Sequence, residues 1–182
     1  VNAGGDGIDS NGTLTFSGGL ILVSGPTDNA NAALDSNGTM TVNGGTLVAA
    51  GSSGMAEGPS AGTQASAAFY FSQVQQAGTT VHLLAQDGSV LLSFSPQKQF
   101  SYILFSCSAL SQATTVSVAT GGTVSGGTAQ NGLTTGGTVS GDSVLQTFAL
   151  SGVTTSYSAS GAVTGGMSQM GGGGGFGGKG QS

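Results

Sequence analysis

Apolar and polar residues alternate with period two along much of this chain, and the alternation itself repeats after 26 residues. Thr13-Leu14-Thr15-Phe16-Ser17 and Thr39-Met40-Thr41-Val42-Asn43 each put their apolar side chains on one face of an extended strand. Residues 8–25 lie over residues 34–51 at an offset of 34 − 8 = 26, with 9 of the 18 aligned positions identical. A repeat of that length is one supersecondary unit that cannot bury its apolar face alone and must stack on a copy of itself. Each copy holds an Asp-Ser-Asn-Gly turn, an alternating strand, a Gly-Gly bend and a second strand, which fits one coil of a parallel β-helix. Within the second strands, Ile21, Val23, Leu47 and Ala49 are expected to point inward. That leaves Leu20, Leu22 and Val48 outside as an apolar stripe, a candidate surface for self-assembly.

Beyond residue 52 the register weakens. Another step of 26 lands on Ser60-Ala61-Gly62-Thr63-Gln64, where the acid of the turn is missing, so residues 51–63 read as a loop. Strands are expected at residues 67–71, 79–85, 89–94, 100–106 and 114–119. Asp87-Gly88 between two of these runs is a strong hairpin signal. Thr120-Gly121-Gly122-Thr123-Val124-Ser125-Gly126 then recurs as Thr135-Gly136-Gly137-Thr138-Val139-Ser140-Gly141, an offset of 15. The expected fold is thus all-β: a parallel β-helix (solenoid) with 26-residue coils and a Gly-rich C-terminal extension. One β-helix domain would cover 1–170, with clear coils in 1–52 and degenerate coils or a cap in 67–170. Residues 171–182 form a Gly-rich tail carrying Phe176, a further candidate self-assembly contact.

Composition narrows the function more than the fold. Charged residues are 5% of the chain, against ~25% in ordinary soluble domains. The formal charge is −5, arginine is absent, and the two basic residues are Lys98 and Lys179. Nucleic-acid binding needs a basic stripe and is excluded; docking on an anionic membrane fails for the same reason. No apolar run is long enough to insert into a bilayer. The lone Cys107 rules out an internal disulfide and reads as a small buried apolar residue. The chain opens almost inside the first repeat, as a mature or trimmed product would, and its composition points to a secreted, cell-surface protein.

Chemistry concentrates in the Asp-turns. Stacked strands lie ~4.8 Å apart, so Asp9 and Asp35 should sit side by side, with Asp6 just before the same turn. Two carboxylates at that spacing repel unless one is protonated or a cation lies between them. Calcium takes six to eight oxygens, and Asp28, Asn29 and Asn31 on the loop between coils are placed to complete its shell. The alternative is that each aspartate bonds its own turn backbone and faces water. Asn11 and Asn37 would form an amide ladder that needs no ligand.

The succession Gly-Gly-Asp-Gly-Ile-Asp-Ser-Asn-Gly, then Asn43-Gly44-Gly45-Thr46 and Gly54-Met55-Ala56, resembles the secreted carbohydrate-binding β-helix family related to polysaccharide lyases. So do Asp87-Gly88, Ser93-Phe94-Ser95-Pro96 and residues 100–108; the likeness runs from about Gly4 to Gly180. The resemblance implies a right-handed, calcium-binding, non-catalytic β-helix that adheres to acidic (uronate-rich) polysaccharide or cellulose, and it favours the calcium alternative. An enzyme is not expected. A lyase needs a base beside calcium, usually arginine, and a glycosidase needs two carboxyls in unlike surroundings, whereas Asp9 and Asp35 occupy equivalent turns. Glu57 reads as solvated and His82 as a structural strand histidine. Trp is absent, leaving Tyr70, Tyr102 and Tyr157 as the aromatic candidates for a sugar. The expected function is a non-enzymatic extracellular protein that binds calcium and polysaccharide. The alternative is a structural homo-polymer joined head-to-tail through open β-helix ends or the tail.

Overall fold

A computed structural model describes residues 1–112 and 114–163 of the chain, all of it strands, turns and loops. The repeat is built as parallel pairs at the expected offset. The first copy supplies β1 (Ile8–Ser10), β2 (Leu14–Phe16) and β3 (Leu20–Ser24); the second supplies β4 (Leu34–Ser36), β5 (Met40–Val42) and β6 (Thr46–Gly51). Ile8 pairs with Leu34, Leu14 with Met40 and Leu20 with Thr46, so each residue lies beside the one 26 positions later. The repeat is then cut short. β7 (Ala61–Gly62) pairs parallel with β5, Thr41 opposite Ala61, only 61 − 41 = 20 positions on. The segment 51–63, expected as a loop, is one for most of its length but returns to the stack as the two-residue strand β7.

The remaining strands are β8 (Ser66–Gln75), β9 (Val81–Ala85), β10 (Val90–Phe94), β11 (Phe100–Ser106), β12 (Thr115–Ser125), β13 (Thr128–Gln130), β14 (Leu133–Thr135), β15 (Thr138–Ala149), β16 (Thr154–Ser158) and β17 (Gly161–Ala162). The fold is all-β, but the β-helix expected over residues 1–170 is not found; beyond the two repeats the sheets are mixed or antiparallel. β11 pairs antiparallel with both β6 and β8, β16 pairs parallel with β8, and the second sheet, β13-β14-β10-β9-β12-β15, is antiparallel throughout. The reason is local. Asp87-Gly88 closes β9 onto β10, with the Gly88 amide donating to the Ala85 carbonyl at 3.0 Å. Asn131 (φ 52°) and Gly132 (φ 82°) close β13 onto β14. Short turns of two or three residues such as these reverse the chain and impose antiparallel pairing. The Thr-Gly-Gly repeat at offset 15 is likewise an antiparallel pair, with Val124 opposite Val139.

Two cores share one wall. The sheet β17-β16-β8-β11-β6-β3 has one face on the inside of the repeat, where Val23, Leu47, Ala49, Tyr102 and Leu104 meet Phe16, Leu34 and Val42. Ile21, Val23, Leu47 and Ala49 thus point inward, as the alternation requires. The other face packs on the second sheet, where Val48, Ala50, Ile103 and Phe105 meet Leu83, Phe94, Val116 and Phe148. The proposed outer stripe is corrected by this layer. Val48 is completely buried and Leu22 is packed against the larger core; only Leu20, at 37% exposure, keeps much solvent contact. The apolar stripe does have a partner, and it is the chain's own second sheet. β8, β11 and β6 carry apolar residues on both faces because they lie between the two cores in mid-sheet.

Candidate functional site

The loop between the two repeats is fastened by its own polar groups. Asp6 Oδ1 accepts from the Ala32 amide at 2.7 Å across the stack. Asp28 Oδ1 accepts from Asn31 Nδ2 at 2.7 Å and from the Ala30 amide at 3.0 Å, and these bonds hold its pKa below the usual carboxylate value. Asn29 Oδ1 accepts from Ser52 Oγ at 2.5 Å, tying the loop to the next turn. Asp9 and Asp35 are register partners, side by side as expected. The six residues read as one calcium shell therefore divide: two form a carboxylate pair, and four anchor a loop. Among the described residues, no three Asp, Glu, His or Cys side chains gather where one ion could be held.

A different acid joins the pair. Glu57, on the loop leading to β7, lies close enough to Asp35 for the two charges to oppose each other. Partial burial is the larger cause of its raised pKa, the Asp35 carboxylate adds to it, and the Ser36 amide pulls the other way. Asp9, Asp35 and Glu57 thus follow one another along the stack. Spacing did not reveal this, because Glu57 is off the 26-residue register; the shortened return through β7 brings it back.

Beside this row opens a cleft of about 480 Å³. Ser36, Gly38 and Met40 of the second repeat form one wall, Met55 to Ser60 a second, and Tyr70 of β8 with Thr154 and Ser156 of β16 the third. Three hydrogen bonds fix the Glu57 loop. Tyr102 Oη donates to the Glu57 carbonyl at 3.0 Å, Thr154 Oγ1 to the Pro59 carbonyl at 2.6 Å, and the Ser60 amide to the Met40 carbonyl at 2.9 Å. Tyr102 is buried and serves as support, its ring 4.9 Å from that of Tyr70, which stays half-buried at the cleft. Burial raises the pKa of both phenols, so both remain protonated donors in any physiological range. Tyr157 stacks on Phe148 at 4.3 Å and belongs to the seam between β15 and β16, away from this cleft. The cleft therefore joins one aromatic face, several hydroxyls and an acid.

Among the described residues, no basic group lines the cleft. The basic residue types among them are Lys98, which donates to the Ala3 carbonyl, and the buried His82. His82 Nε2 lies 2.6 Å from the Gly121 carbonyl and Nδ1 2.7 Å from Ser93 Oγ. The carbonyl can only accept, so Nε2 carries the proton and Nδ1 accepts from the serine. The pairing resembles a nucleophile and base, but all of it lies inside the sheet, and the histidine is structural. Burial also raises the pKa of the Cys107 thiol, in keeping with an apolar role.

A second opening, about 450 Å³, lies at the outer edge of β3, between Leu20 and Leu22 on one side and Phe94 and Gln97 on the other. Residues 1–3 already run along the end of this edge. The Ser24 amide donates to the Val1 carbonyl at 3.0 Å and the Ala3 amide to the Ser24 carbonyl at 3.0 Å, a parallel bridge between Asn2 and Ser24. Phe176 falls outside the described residues. No family model, curated protein or solved structure matches this chain.

Proposed function

We propose that this chain is a non-enzymatic, extracellular polysaccharide-binding protein, and that the cleft beside Glu57 and Tyr70 is where the glycan lies. One observation carries the reading: a half-exposed tyrosine ring, the hydroxyls of Ser36, Ser60 and Ser156, and a carboxylate face one cavity of sugar-ring size. The ring supplies an apolar face, and the hydroxyls and carboxylate take the directional bonds that fix orientation. Calcium enters as a peripheral ion at the Asp9–Asp35 pair, where it would relieve repulsion and bridge a uronate chain to the stack. That role is separable from the cleft by chelation.

Retention of the purified chain on cellulose and on polygalacturonate, with calcium or with chelator, tests this. Tyr70→Ala should lower retention about tenfold, as expected for loss of one aromatic contact of ~0.5–1.5 kcal/mol beyond its buried area. Chelation should weaken only the uronate arm. Binding equal to wild type in a folded Tyr70→Ala variant rejects the cleft, and release of reducing ends from any substrate rejects the non-enzymatic assignment.

Self-assembly is the second reading, and the open edges favour it. Nothing among the described residues pairs with the outer edges of β1 and β2, and Ile8, Leu14 and Ile21 are only half-buried at that end of the stack. The opposite end is covered by β7 and β11. With one end of the stack more open than the other, self-assembly would pair like ends and close as a two-fold dimer rather than a head-to-tail filament. Sedimentation at increasing concentration should show a monomer–dimer equilibrium; a monomer at every concentration overturns it.

A further inference from the structure

We infer that the cleft discriminates by charge, taking a glycan that bears protonated amines in preference to its neutral counterpart and rejecting a uronate. The inference rests on the polysaccharide reading and names the ligand class for the same cavity. The site is the cleft; the acids set its sign. Glu57 stands on its wall, Asp35 stands behind Glu57, and Asp9 continues the row along the first repeat. Among the described residues no cation answers them, since Lys98 is committed to the Ala3 carbonyl elsewhere. An incoming carboxylate would meet like charge from at least two acids without a neutralising partner. An incoming ammonium gains both, and Tyr70 offers it a ring face as well. Hydroxyls of Ser36, Ser60 and Ser156 serve the ring positions common to every hexose, so the backbone of the glycan is recognised without regard to its charge.

The experiment is calorimetry on the full chain with four hexasaccharides, in chelator: β-1,4-linked glucosamine, its N-acetylated form, glucose, and galacturonate. The glucosamine oligomer should bind at least about tenfold more tightly than its acetylated form, with galacturonate weakest. Raising salt to about 0.5 M should shrink that gap, as for partly exposed charges. Glu57→Gln combined with Asp35→Asn, checked by melting to be folded, should abolish it. Galacturonate binding as tightly as glucosamine overturns the inference. So does a gap that survives the double substitution, since attraction to the acidic protein as a whole would then be its source. Binding of all four with no preference removes only the charge discrimination, whereas binding of none removes the polysaccharide reading as well.

Discussion

Gly62→Ala should cost at least about 3 kcal/mol of stability and lower the melting temperature by roughly 10 °C, taking ~2–4 °C per kcal/mol for a chain of this size. A methyl group there would lie 1.9 Å from the Val42 carbonyl oxygen, with the Val42 backbone carbon and nitrogen at 2.7 and 2.8 Å. Backbone on that side has no room to yield, because the same carbonyl accepts from the Thr63 and Gln64 amides at 3.1 and 3.2 Å. Gly62 also adopts φ +127°, a conformation closed to L side chains. Relieving the overlap means lifting β7 off β5, which uncovers the far end of the stack and loosens the loop that carries Glu57. Glycan binding should therefore fall with stability. Gly78→Ala is the control, since it has positive φ (+82°) but open space around its Cβ, and it should cost only ~1 kcal/mol. Chemical denaturation of both variants checks this; equal losses would mean that conformation, not the close approach to Val42, sets the cost.

His82→Leu should destabilise the chain by about 2–4 kcal/mol, even though it exchanges a polar core residue for an apolar one of similar bulk. The imidazole is completely buried, and it satisfies two groups on two different strands. Without it the buried Ser93 hydroxyl is orphaned, at ~1–3 kcal/mol, and the Gly121 carbonyl, on an exposed residue, loses a bond of about 1 kcal/mol. Gly121 is where β12 bends, with φ +75°, so the lost bond also frees that bend. Removing the orphaned hydroxyl provides the test. Ser93→Ala added to His82→Leu should recover about 1 kcal/mol in an urea titration, whereas Ser93→Ala alone should cost stability. If the two losses simply add, the three groups do not act as a unit.

Several features of this molecule are legible from its letters. Equal spacing of identical residues specifies which atoms touch in a stack, so Asp9 beside Asp35 and Leu14 beside Met40 follow from counting. Asp87-Gly88 similarly specifies a reversal, because that pair supplies the turn geometry that joins twisted strands. The expected strands near residues 67–71, 79–85, 89–94 and 100–106 are present for the same kind of reason, short alternating or β-branched runs bounded by turn residues. The calcium shell shows where this kind of reading stops. Asp28, Asn29 and Asn31 share a loop, with Asp6 across the stack from it, but whether an oxygen faces an ion or a neighbouring donor depends on loop conformation, and here amides and the Ser52 hydroxyl take them.

Local pattern determined the 26-residue register, the inward face of each repeat and the hairpin turns, since each of these is settled by residues that are neighbours along the chain or stacked by a constant count. Only the tertiary structure decided what covers Leu22 and Val48, where β11 inserts, and that Glu57 meets Asp35. Alternation with period two says that a strand has two faces but not which sheet will lie on the second. That choice is made by the whole chain at once, through the apolar area that a second sheet buries against the first.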